Sequence, residues 1–208
     1  MSVNASLWKG PLKPTLASGS ASRRLLLESA GIDVDVAPAR VDERALERAF
    51  FASGGEASQL ASRLARAKAL KVSGRRPSAL CIGADQTLLL AESLLHKPAD
   101  MAAAASNLQR LAGRSHLLIA AVCVAREGVV LFEAVRNARM TMRALDEGAI
   151  QRYLAAAGPA ILSSVGAYQI EGIGIHLFEA IEGDCATIIG LPLLDLLRWL
   201  RSRGLLTI

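Results

Sequence analysis

One carboxylate and one carboxamide interrupt the otherwise apolar run Leu80-Cys81-Ile82-Gly83-Ala84-Asp85-Gln86-Thr87-Leu88-Leu89-Leu90. Desolvating Asp85 in such a run is costly unless a cation or a metal pairs with it. A carboxylate held there suits proton abstraction from water, or a hard metal ion. Lys68 is a second misfit. At about 100° per residue, Ala57, Leu60, Ala61, Leu64 and Ala65 share one helix face, and Lys68 falls in its middle. Arg63 and Arg66 lie outside that face. A buried ammonium needs an anion, and a phosphate would serve; the alternative is a stem that runs along the helix edge to water. Lys68→Ala puts a small apolar group on an apolar face, so it is expected to fold at least as well as the parent.

A third cluster is Ser18-Gly19-Ser20-Ala21-Ser22-Arg23-Arg24, set between a strand-like run and a helical one. Free amides and the positive dipole end favour anions at a helix start, so two arginines there conflict with it. A bound phosphate chain resolves the conflict, with Ser18, Ser20 and Arg23 as donors. Ordinary capping by Ser20 or Ser22, with solvated arginines, is the alternative. Asp42-Glu43 offers hard oxygen ligands for Mg²⁺ or Mn²⁺, or simply acids at a helix start. Lys97, in His96-Lys97-Pro98, could return to the Asp85 pocket, or merely mark a turn. In Gly166-Ala167-Tyr168-Gln169-Ile170-Glu171-Gly172-Ile173-Gly174, Glu171 could accept hydrogen bonds from a base edge or lie solvated. The glycine spacing is not G-x-G-x-x-G, and no G-K-[ST] occurs, so dinucleotide and Walker readings fail.

The elements that must position these residues alternate strand and helix, which predicts an α/β fold. Strands are expected at 13–17, 34–38, 79–90, 116–125, 129–142 and 173–181. Helices are expected at 23–30, 43–52, 56–72, 100–111, 146–156 and 191–203. The runs 116–125 and 129–142 are set to pair as a hairpin across Glu127-Gly128. That hairpin and the helix after it could form a smaller lobe.

The 208 residues carry a net charge of +5 and are 52% hydrophobic, which excludes global disorder. The longest apolar run, Leu117–Ala125, is too short to span a bilayer, and the amino terminus lacks the apolar block of a signal peptide. A soluble, cytoplasmic protein is expected. Three scattered cysteines read as buried apolar groups, and three histidines form no H-x-x-x-H pair, so zinc is not expected. The basic balance fits a nucleic-acid surface or a pocket for a small polyanion. Without a dense basic run interleaved with aromatics, nucleic-acid binding is the weaker reading.

In order along the chain, these segments resemble the Maf family of nucleoside triphosphate pyrophosphatases. The matching pieces are Leu16-Ala17-Ser18-Gly19-Ser20 with Arg23-Arg24, Val41-Asp42-Glu43, and Arg63-Leu64-Ala65-Arg66 with Lys68. They continue through Gly83-Ala84-Asp85-Gln86, Lys97-Pro98, Gly166-Ala167-Tyr168 with Glu171-Gly172, and Gly190-Leu191-Pro192-Leu193. The likeness spans roughly residues 14–200, and its specificity lies in the conjunction.

The resemblance implies a single domain over residues 1–208, with residues 1–12 a flexible terminus. Its sheet would be mixed and flanked by helices, with a deep cleft between two lobes, as in the related inosine triphosphatases. It implies metal-dependent hydrolysis of a nucleoside triphosphate to monophosphate and pyrophosphate, with Mg²⁺ or Mn²⁺ as cofactor, and a homodimer. The family's proton acceptor falls on Asp85, its metal-side acid on Glu43, and its phosphate-handling positions on Ser18, Arg23, Lys68 and Lys97, to which the helix-start reading adds Ser20. Three positions track the base. Relatives resembling 7-methyl-GTP hydrolases carry Trp, Gln and Glu there, and dTTP/UTP hydrolases carry Arg, Thr and Gln. This chain has Ser22, Gln86 and Glu171, closer to the first set but without the stacking tryptophan. A 7-methyl-GTP-like substrate is therefore expected, with dTTP/UTP or inosine/xanthosine triphosphates as the alternatives. A nucleic-acid-binding regulator of septum formation is the reading from another class.

Overall fold

The computed structural model describes residues 6–208. The chain divides into two compact units. The first holds the residues up to Asp85, Ala120–Arg136 and Gly190–Ile208, and the second Gln86–Ile119 and Asn137–Ile189. The fold is mixed α/β, a seven-stranded sheet with helices flanking it. Its strand order is β2-β1-β3-β5-β6-β7, with β4 added on β3.

In the first unit, β1 (Thr15–Leu16) pairs in parallel with β2 (Asp35–Val36) and with the start of β3 (Cys81–Leu90). Parallel neighbours need crossover connections, and helices supply them. α1 (Ala21–Ser29) joins β1 to β2; α2 (Glu43–Ala52) and α3 (Leu60–Ser73) join β2 to β3. Leu16, Leu27, Ile82, Val122 and Leu200 form the apolar core of this unit. Close packing of α3 on β3 depends on Gly83. A Cβ there would collide with the Ala65 carbonyl and lie 2.6 Å from the Ala69 nitrogen. Only a residue without a side chain lets the helix approach that closely.

Of the terminus expected to be flexible, residues 1–5 lie outside the described residues. Leu7 donates to the Gly31 carbonyl at 2.8 Å, and Trp8 bridges Leu206.

The second unit contains β4 (Ser93–Leu95), antiparallel to the end of β3, and the helices α4 (Met101–Leu111) and α5 (Glu147–Ala157). Asp100 and Asp146 cap these helices, accepting from Ala103 and Ala149 at 2.8 and 2.6 Å. β5 (Ser115–Arg126) and β6 (Val129–Met142) meet across Glu127 and Gly128. Both turn residues have positive φ, 55° and 74°, the backbone sense of a tight hairpin turn.

The strand expected over 173–181 is half wrong. Ile173–Leu177 is a 3-10 helix, and the strand, β7, runs Phe178–Glu182. The alternation of Ile173, Ile175 and Leu177 imitates a strand, but both isoleucines are exposed, and the buried Gly174 instead packs against the Gln169 backbone, where a Cβ would lie 2.5 Å from the carbonyl oxygen. A short helix, α6 (Cys185–Ile189), gave no periodic signal, and α7 (Leu193–Ser202) closes the chain. Of the cysteines read as buried, Cys81 and Cys123 are, and Cys185 is exposed.

Candidate active site

The two first-turn arginines of α1 separate. Arg24 stays outside and pairs with Glu28 at 3.3 Å. Arg23 turns in: its Nε donates to the Gly190 carbonyl at 2.9 Å, and its Nη1 to Ser18 Oγ at 3.1 Å and the Ala84 carbonyl at 2.9 Å. These three bonds fix the fork on neutral oxygens. They leave both N–H groups of Nη2 without a hydrogen-bond partner among the described residues. Burial lowers the guanidinium's pKa, while Asp85 and Glu43 pull the other way; an arginine keeps its charge under such a shift.

Ser20 is the helix cap and accepts from the Arg23 amide at 3.3 Å. Ser18, buried, accepts from the Ser20 amide and from Arg23, so its own hydroxyl proton can point to a ligand. Ser20 therefore caps the helix, while Arg23 does not lie solvated as the capping reading had it but turns in toward Ser18.

Lys68 is 8% exposed, but its partners are carboxylates of the protein. Nζ lies 2.5 Å from Asp85 Oδ2 and 2.7 Å from Glu43 Oε1. This corrects the snorkelling alternative: the ammonium stays inside and is paired within the protein. Lys68→Ala would take from Asp85, itself 7% exposed, the cation that lies nearest its carboxylate among the described ion pairs. Asp42 and Glu43 also divide the work. Asp42 caps α2 through Ala45 at 2.9 Å, and Glu43, the next residue, reaches Lys68.

Four charged side chains thus gather around the middle of β3. Ala84 gives its carbonyl to Arg23, and Asp85 gives its side chain to Lys68. Asp85 and Gly83 share a strand face. The glycine that admits α3 therefore also brings Lys68, one turn along from Ala65, to the carboxylate.

Gln86 follows on β3, in the second unit. Its side-chain amide donates to the carbonyls of Thr187 and Ile188 at 3.1 and 2.9 Å. Both N–H groups are thereby used, so any further bond at this side chain is accepted by Oε1. Lys97 is exposed after β4, and Glu171 is exposed in the loop before the 3-10 helix 173–177. Ser22 is partly buried in the first turn of α1. The carbonyls of Ala84, Gly190, Thr187 and Ile188 were invisible to sequence reasoning, because a backbone acceptor carries no residue-type signal.

Among the described residues, no group of three or more His, Cys, Asp or Glu side chains could hold a metal. Glu43 and Asp85 make a two-carboxylate set on one cation. That suits a hard ion such as Mg²⁺, which takes one or two carboxylates and completes its shell with water and substrate phosphate.

The fold and the cluster of Arg23, Ser18, Lys68, Asp85 and Glu43 define the class of α/β protein to which the chain is compared. Residues 13–203 match the family described as Maf-like protein, and the chain belongs to that family. A 7-methyl-GTP pyrophosphatase of Mesorhizobium japonicum is 55% identical over 192 residues, covering 92% of this chain and 96% of its own length. A nucleoside triphosphate pyrophosphatase of Nitrobacter winogradskyi is 51% identical over 203 residues, covering 98% of this chain and all of its own. A 7-methyl-GTP pyrophosphatase of Rhizobium johnstonii is 52% identical over 192 residues, with 92% and 96% covered. No helix among the described residues is long and apolar enough to cross a membrane.

Proposed function

We propose that this chain is a nucleoside triphosphate pyrophosphatase that cleaves between the α- and β-phosphates, releasing a nucleoside monophosphate and pyrophosphate. The observation that carries the reading is Asp85, buried in an apolar strand and held at 2.5 Å by Lys68, beside an Arg23 whose outer N–H groups are open to an anion. Membership of a family whose relatives bear pyrophosphatase names supports it.

Water attacks the α-phosphorus in line with the departing pyrophosphate. One P–O bond forms, the α–β bridging P–O bond breaks, and the water's proton passes to Asp85 Oδ. Lys68 and Glu43 hold the Asp85 carboxylate in place for that transfer. Arg23 Nη2 and the Ser18 hydroxyl receive the phosphate oxygens, where charge builds as the anhydride breaks. Lys97, exposed in the second unit, is assigned a further phosphate contact.

The charges of Arg23, Lys68, Glu43 and Asp85 cancel, so a triphosphate must bring its own counter-charge. Glu43 and Asp85 would hold Mg²⁺ or Mn²⁺, which when bound supplies Lewis-acid polarisation of the phosphoryl oxygens. Gln86 and Glu171 read the base, and Ser22 takes the position where a stacking residue would stand. Both Gln86 and Glu171 can accept hydrogen bonds, which favours guanine, whose Watson–Crick edge presents N–H donors, in a 7-methyl-GTP-like substrate. Cytoplasmic localisation and a homodimer belong to the same proposal.

The test is turnover of a nucleotide panel with Mg²⁺ or Mn²⁺, with the products identified. Pyrophosphate release that stops on chelation is expected. Release of inorganic phosphate alone, or no turnover of any nucleotide, overturns the reading.

A further inference from the structure

The second unit buries a polar pair that the phosphate chemistry does not use. His116, the second residue of β5, is 2% exposed, and its Nε2 lies 2.7 Å from Tyr168 Oη. Its Nδ1 has no partner among the described residues. Leucine and phenylalanine would fill the same space with no polar atoms to satisfy, so burial alone does not account for the pair. What a hydrogen bond adds is direction.

The direction is given to one short loop. Tyr168 is the last buried residue before it; Glu171 and Gly172 are exposed. The ring of Tyr168 meets Phe178 edge-on at 4.8 Å, and a Cβ on Gly166 would collide with that ring. Between them, Ala167 is fully buried at φ 57°, a strained backbone for an L-residue, and its carbonyl accepts from Tyr153 Oη at 3.2 Å. On the far side, Arg143 holds the chain twice. Its Nη1 donates to the His176 carbonyl at 2.8 Å, and its backbone N–H to Leu177 at 2.9 Å. The Gln169–Gly172 loop is therefore clamped at both ends, and the near clamp ends in His116.

We propose that the His116–Tyr168 hydrogen bond is the anchor that positions the Gln169–Gly172 loop, and with it Glu171, for reading the substrate base. This deepens the base-reading role given to Glu171 above and rests on it. His116 and Tyr168 are positioning residues; neither touches the phosphates.

The test uses the full chain and four variants. Tyr168→Phe keeps the ring and removes the hydroxyl; His116→Leu removes the other partner; Tyr168→Phe with His116→Leu removes both; and His116→Gln restores a nitrogen near Nε2. Three quantities are read: amide hydrogen exchange over 169–172, thermal stability, and the ratio of kcat/KM for GTP or 7-methyl-GTP to that for UTP. Tyr168→Phe should speed exchange and lower the ratio about tenfold, the size of one lost buried hydrogen bond, with kcat for UTP within about twofold of the parent. His116→Gln should recover most of both. The double variant should regain thermal stability, since no buried polar atom is left orphaned, but not the base ratio. A double variant that recovers the ratio overturns the proposal, because the pair is then only filling the core. Tyr168→Phe with unchanged exchange, or with open exchange and an unchanged ratio, overturns it as well. Glu171→Gln, run alongside, separates the two claims. If it leaves the ratio flat while Tyr168→Phe shifts it, the role of Glu171 has failed and the anchor stands. The reverse pattern sinks the anchor alone.

Discussion

Each unit buries titratable groups beside an apolar core, and the two dispose of them in opposite ways. The first keeps its charges and balances them, with Lys68 between Asp85 and Glu43 and Arg23 on neutral oxygens. The second gives charge up. Burial lowers the His116 pKa to about 4 and raises that of Tyr168, so the pair is neutral at ordinary pH. A buried ion pair is seldom the cheapest way to fill a core, whereas a neutral hydrogen-bonded pair costs far less. The first arrangement makes sense where a reaction needs the charges. The second makes sense where a loop needs a fixed direction.

The largest expected effect falls on the charged side. Asp85→Asn keeps the shape of the residue, and Lys68 retains Glu43, so the chain should stay folded. Turnover should fall by about a thousandfold, the range of a lost general base. Steady-state kinetics beside circular dichroism decides it; a folded variant with near-parent kcat would make the charges structural after all.

Lys68→Ala comes next, and here the expected sign differs from the one the helix face alone suggests. Removing one partner of a buried pair takes from the other its cation at 2.5 Å and leaves it only the weaker field of Arg23, so the variant should lose about 3 kcal/mol of stability in urea unfolding. The same change in an Asp85→Asn background should cost much less, because the orphaned charge is gone. Equal losses in both backgrounds would show that the pair is not coupled.

The neutral side should report through pH. Between its ordinary 6.5 and about 4, His116 binds a proton in the unfolded chain that the folded chain refuses. Its contribution is therefore complete above about 6.5 and is lost as pH falls toward 4, up to about 3 kcal/mol in all. The Asp195 carboxylate, held down by Arg136, loses its contribution only at lower pH, below its ordinary range. Urea midpoints from pH 7 to 4 should therefore fall more steeply for the parent than for His116→Gln. Parallel curves would mean that His116 is not the group that titrates.

How much of this was legible depended on whether residue type carried the signal. Asp85 and Lys68 were visible because a charge in an apolar pattern violates burial energetics, and the structure brings both together with Glu43 and Arg23. What the pattern could not supply was the partner. A misfit shows that compensation is needed, but phosphate and carboxylate both compensate an ammonium, and ammonium and metal both compensate a carboxylate. The helix over 43–52 was read to the residue because an acid cap and an amphipathic run agree there. The 173–177 segment differs because its isoleucine–glycine alternation satisfies a period of two while the isoleucines are exposed and the glycine is the buried residue. His116 was passed over for a related reason. Histidine spacing speaks only to metal binding, and a lone histidine in an apolar strand gives no hint of a tyrosine 52 residues away.

The smallest expected effect tests where base choice lies. Glu171 is exposed, so whatever it does to a ligand is screened by water and worth little more than a single hydrogen bond. Gln86 spends both amide donors on Thr187 and Ile188, which leaves acceptance as its only further role. Two acceptors suit guanine, with N1–H and an exocyclic amine side by side. They suit uracil and thymine poorly, where one N3–H lies between two carbonyls. Ser22 cannot stack on a methylated, cationic purine, so 7-methylation should add little preference over GTP itself. Glu171→Gln supplies a donor that a pyrimidine carbonyl can use, and should narrow the ratio of guanine to uracil kcat/KM by about tenfold, mostly by improving UTP. If dTTP or UTP already exceeds every guanine nucleotide in the parent enzyme, the two acceptors are not reading the base, and the direction conferred by Tyr168 serves another contact.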